Sequence, residues 1–366
     1  TYHQQQHPPQ SPNMSGQKTR QWILSNPPQD DPVLTGSETT FKLQETTLPV
    51  PSASQALVKT LYFSNDPAQR GWIQKGQDPE RLYVPPVKAG EIMRAFAIAE
   101  VVSSESGSLK KGQLVMGTIG WTEYAVVDVK ELRPINADEA AGIRPTHFLG
   151  TLGGTGLTAY DGLIDVAKAT KDDVVVVSGA AGATGSIVVQ LAKNVIGCKK
   201  VIGIAGGDKK CKWVESLGAD VCVDYKSPSF KEDLLKATEG YVQVYFDNVG
   251  GEILDLMLTR MAKHGRVAAC GSVATYNAPG SQGIKNWFEI IANRIEIKGF
   301  IVIDAMMAGK AEGWIGELVK AAKEGKIQIG LETETVVKTK FEDVPRTWMM
   351  LFEGGNTGKL VTEVSA

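Results

Sequence analysis

Residues Val174-Val-Val-Val-Ser-Gly-Ala-Ala-Gly-Ala-Thr-Gly185 decide how this chain is read, and Ser186-Ile-Val-Val-Gln-Leu-Ala-Lys193 follows them directly. Four consecutive valines, Val174 to Val177, read as a strand buried on both faces, as in a parallel sheet. Glycines follow at Gly179, Gly182 and Gly185, and then Ile187, Val188, Leu191 and Ala192 recur at helical spacing. Strand, glycine turn and helix form the setting that a pyrophosphate-binding loop needs. Glycine permits the tight turn and a close approach of backbone to ligand. The helix N-terminus adds free N–H groups and a partial positive charge. The spacing is G-x-x-G-x-x-G and not G-x-G-x-x-G. The glycines alone are compatible with a plain βα turn, and the flanking strand and helix favour the phosphate loop.

Working outward toward the C-terminus, strands and helices alternate. Strands are expected at Val174–Ser178, Lys200–Ile204, Val221–Val223, Val242–Phe246, Arg266–Cys270 and Ile295–Val302. Helices are expected at Gly182–Ile196, Lys209–Leu217, Phe230–Thr238, Gly251–Met261 and Ile284–Asn293. Six strands joined by crossover helices predict an α/β fold with a doubly wound parallel sheet. A long helix from Ala305 to Glu324, a return to strand character over Gly325–Val337 and a helix at Val344–Glu353 follow. A last strand, entered through Gly354-Gly-Asn-Thr-Gly-Lys-Leu-Val361, is expected to rejoin the first part of the chain.

Toward the N-terminus, Lys18 to about Glu131 holds short strands punctuated by Gly and Pro, which predicts a small, mostly β, barrel-like domain. Residues 132–156 are glycine-rich and read as the crossing between domains, with a helix at Thr158–Val166. The expected division is a disordered leader at 1–17, a β-rich domain from 18–145 and 325–366, and a dinucleotide-binding domain at 146–324. Residues 1–13 are too polar to bury a core, and Met14 reads as a start.

Bulk properties bound the function. The 366 residues suit about two domains. A net charge of −2 without a Lys/Arg stripe argues against a nucleic-acid partner. No apolar run reaches the length of a membrane span, about 20 residues. Cys198, Cys211, Cys222 and Cys270 form no C-x-x-C pair and predict free thiols in a reducing, cytoplasmic setting. With His3, His7, His147 and His264 they make no metal-ligand spacing, so no metal is expected.

Several stretches carry a family resemblance. They are Asp66-Pro-Ala-Gln-Arg70-Gly, Tyr83-Val-Pro-Pro, Trp121-Thr-Glu-Tyr-Ala-Val and Gly156-Leu-Thr-Ala-Tyr160. Gly179-Ala-Ala-Gly-Ala-Thr-Gly185, Tyr245-Phe-Asp-Asn-Val-Gly-Gly251, Gly271-Ser-Val-Ala-Thr-Tyr-Asn277 and Gly355-Asn-Thr-Gly-Lys359 complete the set. Together they resemble the zinc-independent medium-chain dehydrogenase/reductase superfamily. Within it the likeness is to the NADPH-dependent alkenal/one double-bond reductases, the prostaglandin reductase and leukotriene B4 dehydrogenase group. The resemblance spans residue 18 to the end. Ala68 departs from it, because the family has Tyr there. It implies a GroES-like barrel beside the Rossmann sheet, NADPH as cofactor and an enal or enone as substrate.

An NAD site carries Asp or Glu about 20 residues after the last glycine. Here the second strand ends Val201-Ile-Gly-Ile-Ala-Gly-Gly207, with Asp208, Lys209 and Lys210 beyond it. Two cations suit a ribose 2′-phosphate; the competing reading is a solvated helix start with Asp208 as its cap. The resemblance aligns Lys210 and Tyr225 with 2′-phosphate ligands and Asn248 and Asn356 with residues near the cofactor. It also implies cofactor contacts at Gly179, Ala181, Gly182, Ala183, Thr184, Gly185, Gly206, Cys270, Tyr276, Phe300 and Val302.

Without zinc, another group must stabilise the oxyanion of a substrate carbonyl. Hydride addition to the β-carbon of an enone leaves an enolate, which needs a hydrogen-bond donor and a proton for the α-carbon. Tyrosine suits both tasks, and the candidates are Tyr62, Tyr83 and Tyr276. Tyr276 follows the Arg266–Cys270 strand at the carboxyl end of the sheet, and the resemblance matches it to the residue that bonds the substrate oxygen. A tyrosine is equally at home as an amphipathic core or rim residue. The expected activity is NADPH-dependent reduction of the C=C bond of α,β-unsaturated aldehydes and ketones. The alternatives are an NADPH quinone reductase of the same superfamily and a cofactor-binding protein without turnover. The apolar strand Ile295-Glu-Ile-Lys-Gly-Phe-Ile-Val302 leaves an open edge, and the resemblance implies a homodimer joined there.

Overall fold

The computed structural model describes residues 16–138, 142–277 and 283–365. The expected leader lies outside the described residues apart from Gly16 and Gln17.

The valine run forms the strand Val174–Ser178 at the centre of a six-stranded sheet. Across the sheet the strands are Val221–Asp224, Lys200–Ala205, Val174–Ser178, Val242–Asp247, Met261–Ala269 and Glu296–Gly299, all parallel. The order reverses beside Val174–Ser178, which creates a crevice at the carboxyl ends of the strands. Val175 and Val177 pack with Val188, Leu191 and Val201 on one face, whereas Val176 packs with Ile202, Leu234, Tyr245 and Met257 on the other. The two-residue alternation of a strand therefore serves two cores, and this is why every position is apolar.

Several elements differ from expectation: the strand expected at Gly325–Val337 is Glu334–Lys340, that at Arg266–Cys270 is Met261–Ala269, and the helix at Thr158–Val166 is Gly154–Tyr160 followed by a π turn. The Ala183–Gln190 helix widens into a π turn over Leu191–Ile196 and stops at Gly197, which is left-handed at φ 76°. The last strand is only Glu296–Gly299. Its apolar continuation packs inward instead, with Phe300 edge-on to Phe246 and Val302 against Leu157, Ala305 and Trp314. The long helix from Ala305 is two helices, Val302–Met307 and Ala311–Lys323, separated where Gly309 takes φ 78°.

A second sheet runs Glu334–Lys340, Lys359–Ser365, Gln55–Ser64, Phe96–Ser104, Leu114–Thr118 and Arg133–Pro134, with Tyr124–Asp128 also paired to Gln55–Ser64. Lys359–Ser365 lies antiparallel to Gln55–Ser64, so the end of the chain rejoins its beginning. The Val344–Glu353 helix inserts Trp348 beside Trp121, with ring centroids 5.8 Å apart.

Candidate active site

The phosphate turn is tight. A Cβ on Gly185 would stand 2.3 Å from the Gly179 carbonyl oxygen and one on Gly182 3.2 Å from it, while Gly179 itself has φ 59°. The Ala183–Gln190 helix begins there, and the N–H groups of Ala183, Thr184 and Gly185 point out of its first turn without intrahelical acceptors. The Gly358 N–H bonds the Ala181 carbonyl at 2.9 Å, so the 354–358 loop lies along this turn. Asn356 steadies the loop by donating Nδ2–H to the Gly358 carbonyl, 2.9 Å.

At the tip of the second strand, Ala205 and Gly206 present no acid. A Cβ on Gly206 would lie 2.8 Å from the Tyr225 ring, so only glycine lets that ring settle against the strand tip. Asp224 accepts from the Gly207 and Lys226 N–H groups at 2.7 and 2.9 Å, and exposed Asp208 pairs with Lys212. Lys210 Nζ donates to the Gly354 carbonyl, 3.0 Å. Burial and then the neighbouring Lys226 hold its pKa below the usual lysine range. Lys210 and Lys226, beside a strand tip whose own residues carry no acid and with Asp224 engaged by the Gly207 and Lys226 N–H groups, suit an anion. The residues present therefore fit a phosphorylated dinucleotide, whose 2′-phosphate Lys210, Tyr225 and Lys226 would hold.

The other end of the crevice is built around buried Asp247. Its Oδ1 accepts from Ser178 Oγ (3.0 Å), Tyr245 Oη (2.8 Å) and the N–H groups of Val249 and Gly250 (3.0 Å each). Its carbonyl takes the Cys270 N–H at 2.9 Å, and Asn248 Nδ2 donates to the Ser178 carbonyl at 2.7 Å. Three strand tips are thereby locked together. Burial pushes the Cys270 thiol up to about 12, with Asp247 and Asp161 contributing, so it remains a neutral thiol.

From this platform the chain turns through residues 271–277. The Ser272 N–H donates to Tyr276 Oη, 3.2 Å. Burial raises the Tyr276 pKa; the Ser272 N–H opposes this, and the charges of Cys270, Tyr83 and Asp247 add to it. A phenol kept protonated by burial, with its oxygen already accepting, has no acceptor for its own O–H among the described residues. Tyr83, in the β-rich half, accepts from Trp72 Nε1 at its Oη, 3.0 Å, and is near enough to act electrostatically on Tyr276. Tyr62 stands between Ile98 and Glu363 in the second sheet, and its ring packs with Ile98, Ile135, Leu149 and Val361. Phe300 and Val302 line the Rossmann half as described above.

Sequence reasoning missed Asp247, Ser272, Lys226 and the carbonyl of Gly354. An acid at the end of a strand and just before a glycine turn was a usable signal for Asp247. The other three are defined by backbone placement and carry no sequence mark. Among the described residues no group of three or more His, Cys, Asp or Glu is placed to hold a metal ion. All four cysteines are free.

A sheet of this order with a glycine turn at its switch point is a dinucleotide-binding fold, and the phenol at its mouth suits an oxidoreductase. Comparison with known proteins narrows the class. Residues 20–135 match the model for the N-terminal domain of oxidoreductase, and residues 183–316 match the model described as zinc-binding dehydrogenase. Prostaglandin reductase 1 of Bos taurus is 35% identical over 327 residues, covering 88% of this chain and 93% of the relative. The NADPH-dependent curcumin reductase of Escherichia coli is 32% identical over 355 residues, 95% of this chain and 98% of the relative. The crystal structure of CurA from Vibrio vulnificus in complex with NADPH superposes with a TM-score of 0.83 at 30% identity, covering 95% and 99% of the two chains. The chain belongs to the zinc-independent medium-chain dehydrogenase/reductase superfamily, in its NADPH-dependent enone reductase group.

Proposed function

We propose that this protein reduces the C=C bond of α,β-unsaturated aldehydes and ketones with NADPH. The observation that carries the reading is Tyr276, a phenol that burial keeps protonated, whose oxygen accepts from the Ser272 N–H and whose O–H meets no acceptor among the described residues. NADPH, when bound, supplies the hydride for the β-carbon of the substrate. Tyr276 donates a hydrogen bond to the carbonyl oxygen as enolate charge develops, and Tyr83 borders the same space as the second phenol. Asn248 and the Gly179–Gly185 turn would hold the cofactor, and Lys210, Tyr225 and Lys226 would recognise its 2′-phosphate.

Residues 146–324 act in this reading as the nucleotide-binding domain, and 18–145 with 325–366 as the catalytic one. The working form is a cytoplasmic homodimer. Dimerisation is supported by the Glu296–Gly299 strand, paired on one side only, and by exposed Trp287, Phe288 and Ile291 on the adjacent helix. Among the described residues no helix is long and apolar enough to cross a membrane. Cell fractionation tests the compartment; recovery in the membrane pellet would contradict it.

NADPH oxidation measured with an enal, with a quinone and with neither tests the activity. Turnover with the enal, and label from deuterated NADPH on the β-carbon of a saturated carbonyl product, is the expected result. Label on the carbinol carbon of an allylic alcohol would make the protein a carbonyl reductase. Turnover with the quinone alone would make it a quinone reductase, and binding without turnover a cofactor-binding protein.

A further inference from the structure

Arg70 is completely buried, yet among the described residues no carboxylate forms an ion pair with it. It sits in the short helix Ala68–Trp72 of the β-rich half. Its Nη2 donates to the carbonyls of Asp30 (2.5 Å), Gln29 (3.2 Å) and Pro28 (3.5 Å), which belong to a loop of the same half. Its Nε donates to Asn277 Oδ1 at 2.9 Å, across to the nucleotide half. Nη1 is buried without a partner among the described residues. Burial works against the charge, and Asp31 and Asp30 partly restore it. A guanidinium held this way has five donors in one rigid plane, so its position is set by the 28–30 loop and the helix together.

Asn277 is the residue after Tyr276. The turn that carries Tyr276 is rooted at one end, where Cys270 and Gly271 donate to the Asp247 carbonyl. Its far end leaves the Rossmann sheet, and Arg70 is the group from the opposite half that grips it.

We propose that Arg70, acting through Asn277, is the positioning residue for Tyr276, so that the phenol takes up its donating geometry only when the two halves of the chain are in contact. This rests on the reading of Tyr276 as the donor. The clasp uses a neutral amide and not a carboxylate. Misplacing a catalytic group by about 1 Å costs up to about 10²-fold in rate. Losing the clasp therefore acts on kcat and leaves NADPH binding, which lies at the Gly179–Gly185 turn, unchanged.

Asn277 and not Arg70 is the position to vary, because Arg70 also holds the 28–30 loop, and its loss would disturb that loop together with the clasp. Asn277→Ala removes the acceptor, and Asn277→Asp keeps an oxygen in its place. Two readouts are taken on the full-length protein. One is kcat for an enone alongside the NADPH dissociation constant. The other is hydrogen exchange over residues 271–277, in which the Ser272 N–H reports directly on the seating of Tyr276 Oη. Asn277→Ala is expected to lower kcat about 10- to 100-fold, to leave NADPH affinity unchanged and to speed exchange across the turn. Asn277→Asp restores both. Wild-type kcat in Asn277→Ala, or equal losses in the two variants, overturns the proposal. If the wild type fails to reduce C=C bonds, the functional reading falls on that result alone. Exchange then decides the clasp: faster exchange in Asn277→Ala but not in Asn277→Asp supports it, and identical exchange in both refutes it.

Discussion

At the scale of single residues, Tyr276 and Lys210 carry the most consequential claims. Tyr276→Phe keeps the ring and removes the O–H. If the hydroxyl stabilises developing enolate charge, kcat should fall about 10²–10³-fold, as for loss of one oxyanion donor, with NADPH affinity nearly unchanged. Full activity in this variant, with label still on the β-carbon, would move the donor role to Tyr83, Tyr62 or a cofactor ribose hydroxyl. Lys210 makes a different kind of claim. Its ammonium rests on the Gly354 carbonyl and is crowded by Lys226, so a 2′-phosphate relieves repulsion as well as accepting a hydrogen bond. Lys210→Ala should raise KM for NADPH about 10- to 100-fold, since a hydrogen bond to a charged group is worth about 1.5–3 kcal/mol, and leave NADH use unaltered. Equal effects on the two cofactors would remove Lys210 from the 2′-phosphate. The acid-free strand tip and Lys210 were legible in the sequence. Lys226 was not, because it reaches the site only when Val221–Asp224 pairs beside Lys200–Ala205.

At the scale of elements, the phosphate turn is the least forgiving part. A methyl group on Gly185 would press on the Gly179 carbonyl and the Ala180 Cα, at 2.3 and 2.9 Å, and neither is a side chain that can move aside. Gly185→Ala should therefore abolish NADPH binding, seen as loss of the cofactor-induced rise in melting temperature, even in a protein that still folds. A normal rise would show that the helix entrance is looser than its geometry implies. Boundaries were read less well than the elements themselves. The apolar run after Ile295 has strand composition throughout, but it leaves the sheet at Gly299 because Phe300 and Val302 have deeper pockets against Phe246 and Trp314. Local propensity does not record where a neighbouring pocket lies.

At the scale of the whole molecule, two properties follow from how the halves are put together. His147 lies in the crossing between them, buried, with Nδ1 accepting the Arg144 N–H at 3.2 Å. Burial, and then the Arg144 charge, lower its pKa to about 4, while Glu332 opposes the shift. A depressed value means that the unfolded chain takes up the proton first. Stability is complete above pH 6.5 and falls as the pH drops from there toward 4, by up to ~3 kcal/mol for a shift of this size. His147→Asn keeps an acceptor for Arg144 and removes the titration. Its urea-unfolding free energy should be flatter across that window, and an unchanged slope would acquit His147. The second property is assembly. Trp287, Phe288 and Ile291, on the helix that leads into the edge strand Glu296–Gly299, are 59, 71 and 60% exposed, apolar side chains of the kind that mark interaction surfaces. Light scattering at micromolar concentration should give a dimer, and Phe288→Asp should give a folded monomer. A wild-type monomer would leave this face without a role.

The sequence by itself determined that residues Val174 to Gly185 form a buried strand and a glycine turn and that five further strands follow in alternation with helices. Those features are local: a two-residue or 3.6-residue period, or a glycine where no Cβ fits, is written within a dozen positions. Only the tertiary structure decided which groups meet. It set Gly354 against Lys210, tied three strand tips together through Asp247 and laid Arg70 on Asn277 across 207 positions of chain. Contacts of that separation depend on how two packed cores abut, and the pattern of either core alone does not encode where their surfaces touch.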